Sequence, residues 1–191
     1  MLNMRVLACL LVLLSVEALA APTLPPQPPE VKRTVDAVVG RWSGSMMATV
    51  PGAAPQAFDW SIDCKAAALQ AGAICTMKGH ASIGDLAQAC LVAYDPEGKA
   101  VHYMCVTSMG EVHDHKGQWK DGTTVVFEPL VGALQGKPMT ETITWAFPDP
   151  RRMTTRSVVK LDDESSMSFE FEGMRDDSKL DHPTVDHQLG P

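Results

Sequence analysis

The sequence predicts an all-β protein, an antiparallel up-and-down barrel of about ten strands preceded by one short helix. Three observations lead there. Apolar residues recur with period two through most of the chain, the breaks between these runs carry turn residues, and the runs are short and near-evenly spaced. A sheet of this size built from sequential hairpins closes on itself more cheaply than it leaves two long edges unpaired. The chain has 191 residues, which suits one such domain.

The elements follow in order. Residues 1–20 read as a secretory signal peptide: Arg5 supplies the positive start, an apolar run follows, and Ala18-Leu19-Ala20 is a cleavage site. Residues 21–34 form a Pro-rich linker, with Pro22, Pro25, Pro26, Pro28 and Pro29 favouring an extended spacer. Residues 30–39 carry the helical signal, Val31, Val35 and Val38 at helical spacing with Gly40 as the stop. The barrel domain spans 35–173. Its clearest strand is 57–65, where Phe58, Trp60, Ile62 and Cys64 share one face and Asp59, Ser61 and Asp63 the other. Further strands are expected at 41–50, 73–80, 88–95, 100–107, 111–119, 123–129, 140–147, 152–161 and 167–173. Turn chemistry separates them, as in Asp95-Pro96-Glu97-Gly98 and Lys120-Asp121-Gly122. Residues 174–191 are charged and without periodicity, and are expected to be a flexible tail.

Composition excludes some functions. Sixteen Lys+Arg against 23 Asp+Glu give a net charge of −7, and the cations are scattered. That argues against a nucleic-acid partner, because phosphate contacts need clustered positive charge. No transmembrane segment is expected after signal cleavage, since the apolar run is shorter than the roughly 20 residues a span needs. There is no G-x-S-x-G elbow, P-loop or dinucleotide-binding glycine pattern. No resident cofactor is expected.

Export changes how cysteines read. Cys9 leaves with the signal peptide, and Cys64, Cys75, Cys90 and Cys105 stay. An even number in an oxidising compartment favours disulfides. A four-residue hairpin loop, Pro96 to Lys99, sets Cys90 opposite Cys105, Val92 opposite Tyr103 and Tyr94 opposite Val101. A three-residue loop with a bulge at Gly98 would instead oppose Cys90 to Met104 and turn Cys105 to the other face. Cys64 and Cys75 flank a second hairpin loop. Cys64–Cys75 and Cys90–Cys105 are the favoured pairs; four buried thiols, or bridges between neighbouring hairpins, are the alternatives.

Three stretches carry a family resemblance. Gly40-Arg41-Trp42 follows the helix and opens the first strand, Tyr94-Asp95-Pro96 begins a hairpin turn, and Met109-Gly110-Glu111-Val112-His113-Asp114-His115-Lys116-Gly117-Gln118-Trp119 leads into another. Together they resemble a family of uncharacterised bacterial calycin-like (lipocalin-like) β-barrel domains of unknown function, often exported. The resemblance covers residues 35–173. It implies that Trp42 packs across the closed end of the barrel, and it implies no activity.

Two sites are candidates. Glu111, His113 and His115 alternate on one strand face, and imidazoles with a carboxylate suit a divalent metal. Residues two apart in a strand are about 7 Å apart, so a further ligand must come from another strand, with His80 or His102 the obvious imidazoles. The competing reading is that these histidines pack beside Trp119 or hydrogen-bond across the sheet. The second candidate is the barrel interior, where Trp60, Tyr94, Tyr103, Trp119, Phe127 and Trp145 would line an apolar cavity or fill an ordinary core. The expected function is non-catalytic: an exported periplasmic or secreted protein carrying a small, partly apolar molecule. The alternatives are a metal-dependent enzyme using Glu111, His113 and His115, and a structural or partner-binding envelope protein with a solid core.

Overall fold

The computed structural model describes residues 26–81, 84–134 and 136–176. The signal peptide, the first part of the Pro-rich stretch and most of the expected tail lie outside them. Helix α1 spans Pro29–Val38. Pro29 sits in its first turn, where the missing N–H costs no hydrogen bond. Val31, Thr34, Val35 and Val38 form its buried face. The helix falls one residue from the expected 30–39, so the Pro-rich stretch assigned to 21–34 gives way to helix at Pro29. Val39 leaves helical geometry, and Gly40, at φ +134°, turns the chain into the first strand.

Among the described residues eleven strands follow: β1 Gly40–Thr49, β2 Gln56–Ala67, β3 Gly72–Ala81, β4 Gly84–Asp95, β5 Ala100–Thr107, β6 Val112–Trp119, β7 Thr124–Phe127, β8 Leu130–Leu134, β9 Lys137–Asp149, β10 Arg152–Leu161 and β11 Ser166–Asp176. Every pairing is antiparallel. Sequential hairpins lead from β1 to β7, β9 follows β7, and β10 and β11 return the sheet to β1, closing the barrel. β7 and β8 occupy one place beside β9. Val126 lies opposite Thr144 and Leu130 opposite Glu141, so the register slips by one residue across Glu128-Pro129. A bulge there suits Pro129, which has no N–H to give a ladder. Ten strand positions therefore surround the axis, as the sequence pattern predicts. The short strand β8 is the addition.

β4 and β5 adopt the four-residue-loop register, with Cys90 opposite Cys105 and Val92 opposite Tyr103. Disulfides join Cys64 to Cys75 and Cys90 to Cys105, with Cα–Cα distances of 4.0 and 4.2 Å. All four cysteines are buried, and they lie in one row that continues to His113 on β6. Two disulfides fit an oxidising compartment.

α1 lies against β3 and β4 at one end of the barrel. Trp42, 1% exposed, donates its indole N–H to the Val38 carbonyl at 2.9 Å. Trp119 donates to Thr34 Oγ1 at 3.1 Å. The Arg175 guanidinium stacks 4.4 Å over the Trp42 ring and donates to the carbonyls of Asp36 and Ala37. Arg175 thus belongs to the closed end and not to a tail: β11 runs on to Asp176. Among the described residues no helix covers the opposite end.

The middle is filled by side chains. Tyr103 meets Trp145 at 4.7 Å and Phe127 at 6.0 Å between ring centroids, and Phe127 meets Trp145 at 4.8 Å. Each such buried ring contributes roughly 1.5–3 kcal/mol. Trp60 fits because Gly79 faces it; a Cβ there would stand 2.3 Å from the indole.

Candidate functional site

β6 alternates as its sequence dictates. His113 and His115 turn inward and Asp114 and Lys116 outward. His115 is 2% exposed. On β9 the same alternation carries Met139, Glu141, Ile143, Trp145 and Phe147 inward, so one carboxylate interrupts an apolar row. Glu141 is 7% exposed. The β7–β8 strand separates β6 from β9; partly buried Leu130 lies opposite Glu141, and the bulge at Glu128-Pro129 comes immediately before it. Glu128 and Pro129 are both exposed, so neither stands between the imidazoles and Glu141.

Three side chains meet there. Glu141 Oε2 lies 3.2 Å from His113 Nδ1 and 3.4 Å from His115 Nε2. One donor atom from each of the three can be chosen so that all lie within 4.8 Å of one another. Ser157 of β10 donates to the other carboxylate oxygen, Oε1, at 2.5 Å. That bond fixes the carboxylate and leaves Oε2 turned to the imidazoles. Glu111 stands at the outer side, its Oε2 3.8 Å from His113 Nε2 and accepting a hydrogen bond from Thr107 Oγ1 at 3.4 Å. Behind the pair, His115 stacks on Tyr103 at 5.9 Å and meets Phe127 edge-on at 6.2 Å.

Electrostatics separate the two imidazoles. The Glu141 carboxylate, 3.2 Å from Nδ1, raises the His113 pKa above its ordinary value, against burial, and the Glu111 charge adds to the rise. Burial lowers that of His115, the Glu141 charge pulling back and His113 reinforcing the fall. Burial would raise the Glu141 carboxyl, yet its close contact with His113, its hydrogen bond from Ser157 and the charges of the two imidazoles hold it below the ordinary value. Burial, then the Glu141 charge, pushes the Tyr103 phenol up. Two polar atoms here find no hydrogen bond of good geometry: His115 Nδ1 and Glu141 Oε2. Such atoms are costly inside a core unless something engages them.

The sequence candidates divide accordingly. His113 and His115 come together, while Glu111 takes a peripheral place on the outer nitrogen of His113. His80, mostly exposed, pairs with Asp85 at 2.6 Å, and His102 pairs with Asp114 at 3.4 Å; neither joins the cluster. Trp60, Tyr103, Phe127 and Trp145 are buried in the packed core, and Tyr94 and Trp119 are partly buried against it. Sequence reasoning missed Glu141 and Ser157. The signal was present in Glu141, a lone carboxylate at an inward position of an otherwise apolar alternation.

Toward the uncovered end, Met46, Phe58 and Leu86 are partly buried against the core. A groove of about 520 Å³ lined by Gln56, Ala57, Phe58, Asp59, His80 and Ala81 opens at this rim.

No protein-family model matches the chain, and no curated protein matches its sequence. Solved structures match its fold. Rv2717c from M. tuberculosis superposes with a TM-score of 0.62 at 12% identity, over 79% of this chain and 99% of that one. The S-type phycobiliprotein lyase CpeS from Guillardia theta superposes with a TM-score of 0.51 at 14% identity, over 81% of this chain and all of that one. At these identities the likeness is one of fold.

Proposed function

We propose that this is an exported, lipocalin-like protein that binds a small, partly apolar molecule through the uncovered end of its barrel. The observation that carries the reading is the character of that end. Partly buried Met46, Phe58 and Leu86 offer apolar contact, and the His113–His115–Glu141 group supplies a few convergent polar atoms near the open ends of β6 and β9. Small-molecule sites have this composition, mostly apolar with few polar groups to fix orientation. Barrels of this strand number hold one small ligand when side chains leave room. The packed aromatic middle limits the ligand to the mouth.

Export rests on residues 1–20, on the two disulfides and on the resemblance to an often exported family. N-terminal sequencing of protein recovered from the cell envelope or medium checks it, with a mature start at Ala21 expected.

Titration with anilinonaphthalene sulfonate, read by dye fluorescence, tests the binding site. Saturable binding is expected, reduced at least about tenfold by Leu86→Asp, which sets a charge among apolar groups. The outward-facing Val112→Ser should leave it unchanged. Binding indifferent to Leu86→Asp and Met46→Asp would place the dye elsewhere and remove the proposal's support.

A further inference from the structure

We propose that His113, His115 and Glu141 form a binding site for one divalent transition-metal ion, of the Zn²⁺ class. The donor set is the first argument. Two imidazole nitrogens and one carboxylate oxygen suit borderline ions such as Zn²⁺ and poorly suit Mg²⁺ or Ca²⁺, which take oxygen ligands. Geometry is the second. Ligands at 2.0–2.1 Å around a tetrahedral ion stand about 3.3 Å from one another. The Glu141 oxygen is already 3.2 and 3.4 Å from the two imidazole nitrogens. One donor atom from each of the three side chains lies within 4.8 Å of the others, close enough for a single ion to draw them together.

The surroundings supply the third argument. The shared oxygen, Glu141 Oε2, is buried, lies beside two nitrogens and makes no well-formed hydrogen bond. An ion between the three groups would engage it. Ser157 holds Oε1 and so presets the carboxylate. Glu111 lies beyond the far nitrogen of His113, where a carboxylate orients a ligating imidazole and raises its basicity. These are the two kinds of outer support that metal ligands usually have. Three protein ligands leave at least one coordination position for water or for a donor atom of a bound molecule. The site adjoins the mouth assigned above to an apolar ligand, yet it stands on the three side chains alone, and a metal titration can succeed or fail independently of the dye titration.

The test uses the mature chain treated with a chelator and then dialysed. Zn²⁺ is titrated calorimetrically at near-neutral pH, and Co²⁺ is followed by its visible absorption. One equivalent of Zn²⁺ should bind, and Co²⁺ should give the intense bands of a four- or five-coordinate ion. Glu141→Gln and His113→Gln should each weaken Zn²⁺ by more than the roughly 10–100-fold that loss of an outer-shell partner costs. Circular dichroism checks that each variant folds, and His113→Gln, at the less buried position, serves if Glu141→Gln does not. His102→Gln, which removes an imidazole outside the cluster, and His182→Gln/His187→Gln, which removes the two histidines of the expected tail 174–191, should bind as the parent does. The proposal is overturned by no binding at micromolar Zn²⁺, by binding indifferent to both cluster variants, or by binding lost with His182 and His187.

Discussion

Ser157 donates a 2.5 Å hydrogen bond to Oε1 of Glu141, its diagonal neighbour across the β9–β10 ladder. The bond satisfies one oxygen of a carboxylate that is nearly sealed from water. Ser157→Ala leaves that oxygen unpaired, and a hydrogen bond to a charged group is worth about 1.5–3 kcal/mol. Urea unfolding of Ser157→Ala should show a loss of about 1.5 kcal/mol. An unchanged midpoint and slope would mean that Glu141 finds another donor when Ser157 is gone.

His113 and His115 should titrate on opposite sides of the ordinary value of 6.5 in protein stripped of metal. For His113, raised by Glu141, the stabilising contribution is complete below 6.5 and is lost as pH rises through its folded midpoint. For His115, lowered by burial, the contribution is present above 6.5 and is lost as pH falls through its folded midpoint. Imidazole NMR resonances followed through pH 5–8 check this. Glu141→Gln should bring the His113 midpoint down, because it removes the partner that favours the charged ring.

Cys75 faces Cys90 in the β3–β4 register, yet each is bonded to the cysteine on its other side. A non-reduced digest should therefore yield Cys64–Cys75 and Cys90–Cys105 peptides, and a Cys75–Cys90 peptide would contradict the arrangement. Cys90 and Cys105 are 15 residues apart. By loop-closure entropy the double variant Cys90→Ala/Cys105→Ala should lose about 3 kcal/mol in denaturant melts.

Gly44 of β1 faces Gly173 of β11 at the seam that closes the barrel. A Cβ on Gly44 would stand 1.9 Å from the Glu172 carbonyl oxygen, and a backbone atom cannot yield as a side-chain tip can. Glycine here lets β1 coil tightly against its partner. Gly44→Ala should cost about 3 kcal/mol, the upper end of ordinary overpacking, read as a lowered thermal midpoint. A melt matching the parent would mean that the seam is looser than the two strands indicate.

Most strands were legible because alternation is local. Ala57–Lys65 announces its buried face without knowledge of any other strand, and 100–107 and 152–161 announce themselves as strands by their turns and β-branched residues. β8 was not, since Leu130–Leu134 is short, exposed at its centre and separated from β7 by a bulge that interrupts the pattern. Arg175 read as tail because its partners, Trp42 and the carbonyls of Asp36 and Ala37, lie at the far end of the chain. The site was half legible: two imidazoles on one strand face show in the spacing of His113 and His115, whereas Glu141 shows only as a break in an apolar alternation, with nothing in the spacing to say that it meets them.

By itself the sequence determined where most of the hairpins turn and, for 57–65 and for the strand carrying His113 and His115, which residues share a face; it narrowed the Cys90–Cys105 hairpin to two loop lengths, between which the structure decided. Periodicity and turn chemistry are properties of a few consecutive residues, so they need no knowledge of the fold. The closure of the last strand on β1 bears out the expected barrel, and the tertiary structure alone decided that Arg175 joins the closed end and that Glu141 reaches His113 and His115 across the β7–β8 strand. Those meetings depend on how a closed sheet coils around its axis and staggers its strands, which no single segment encodes.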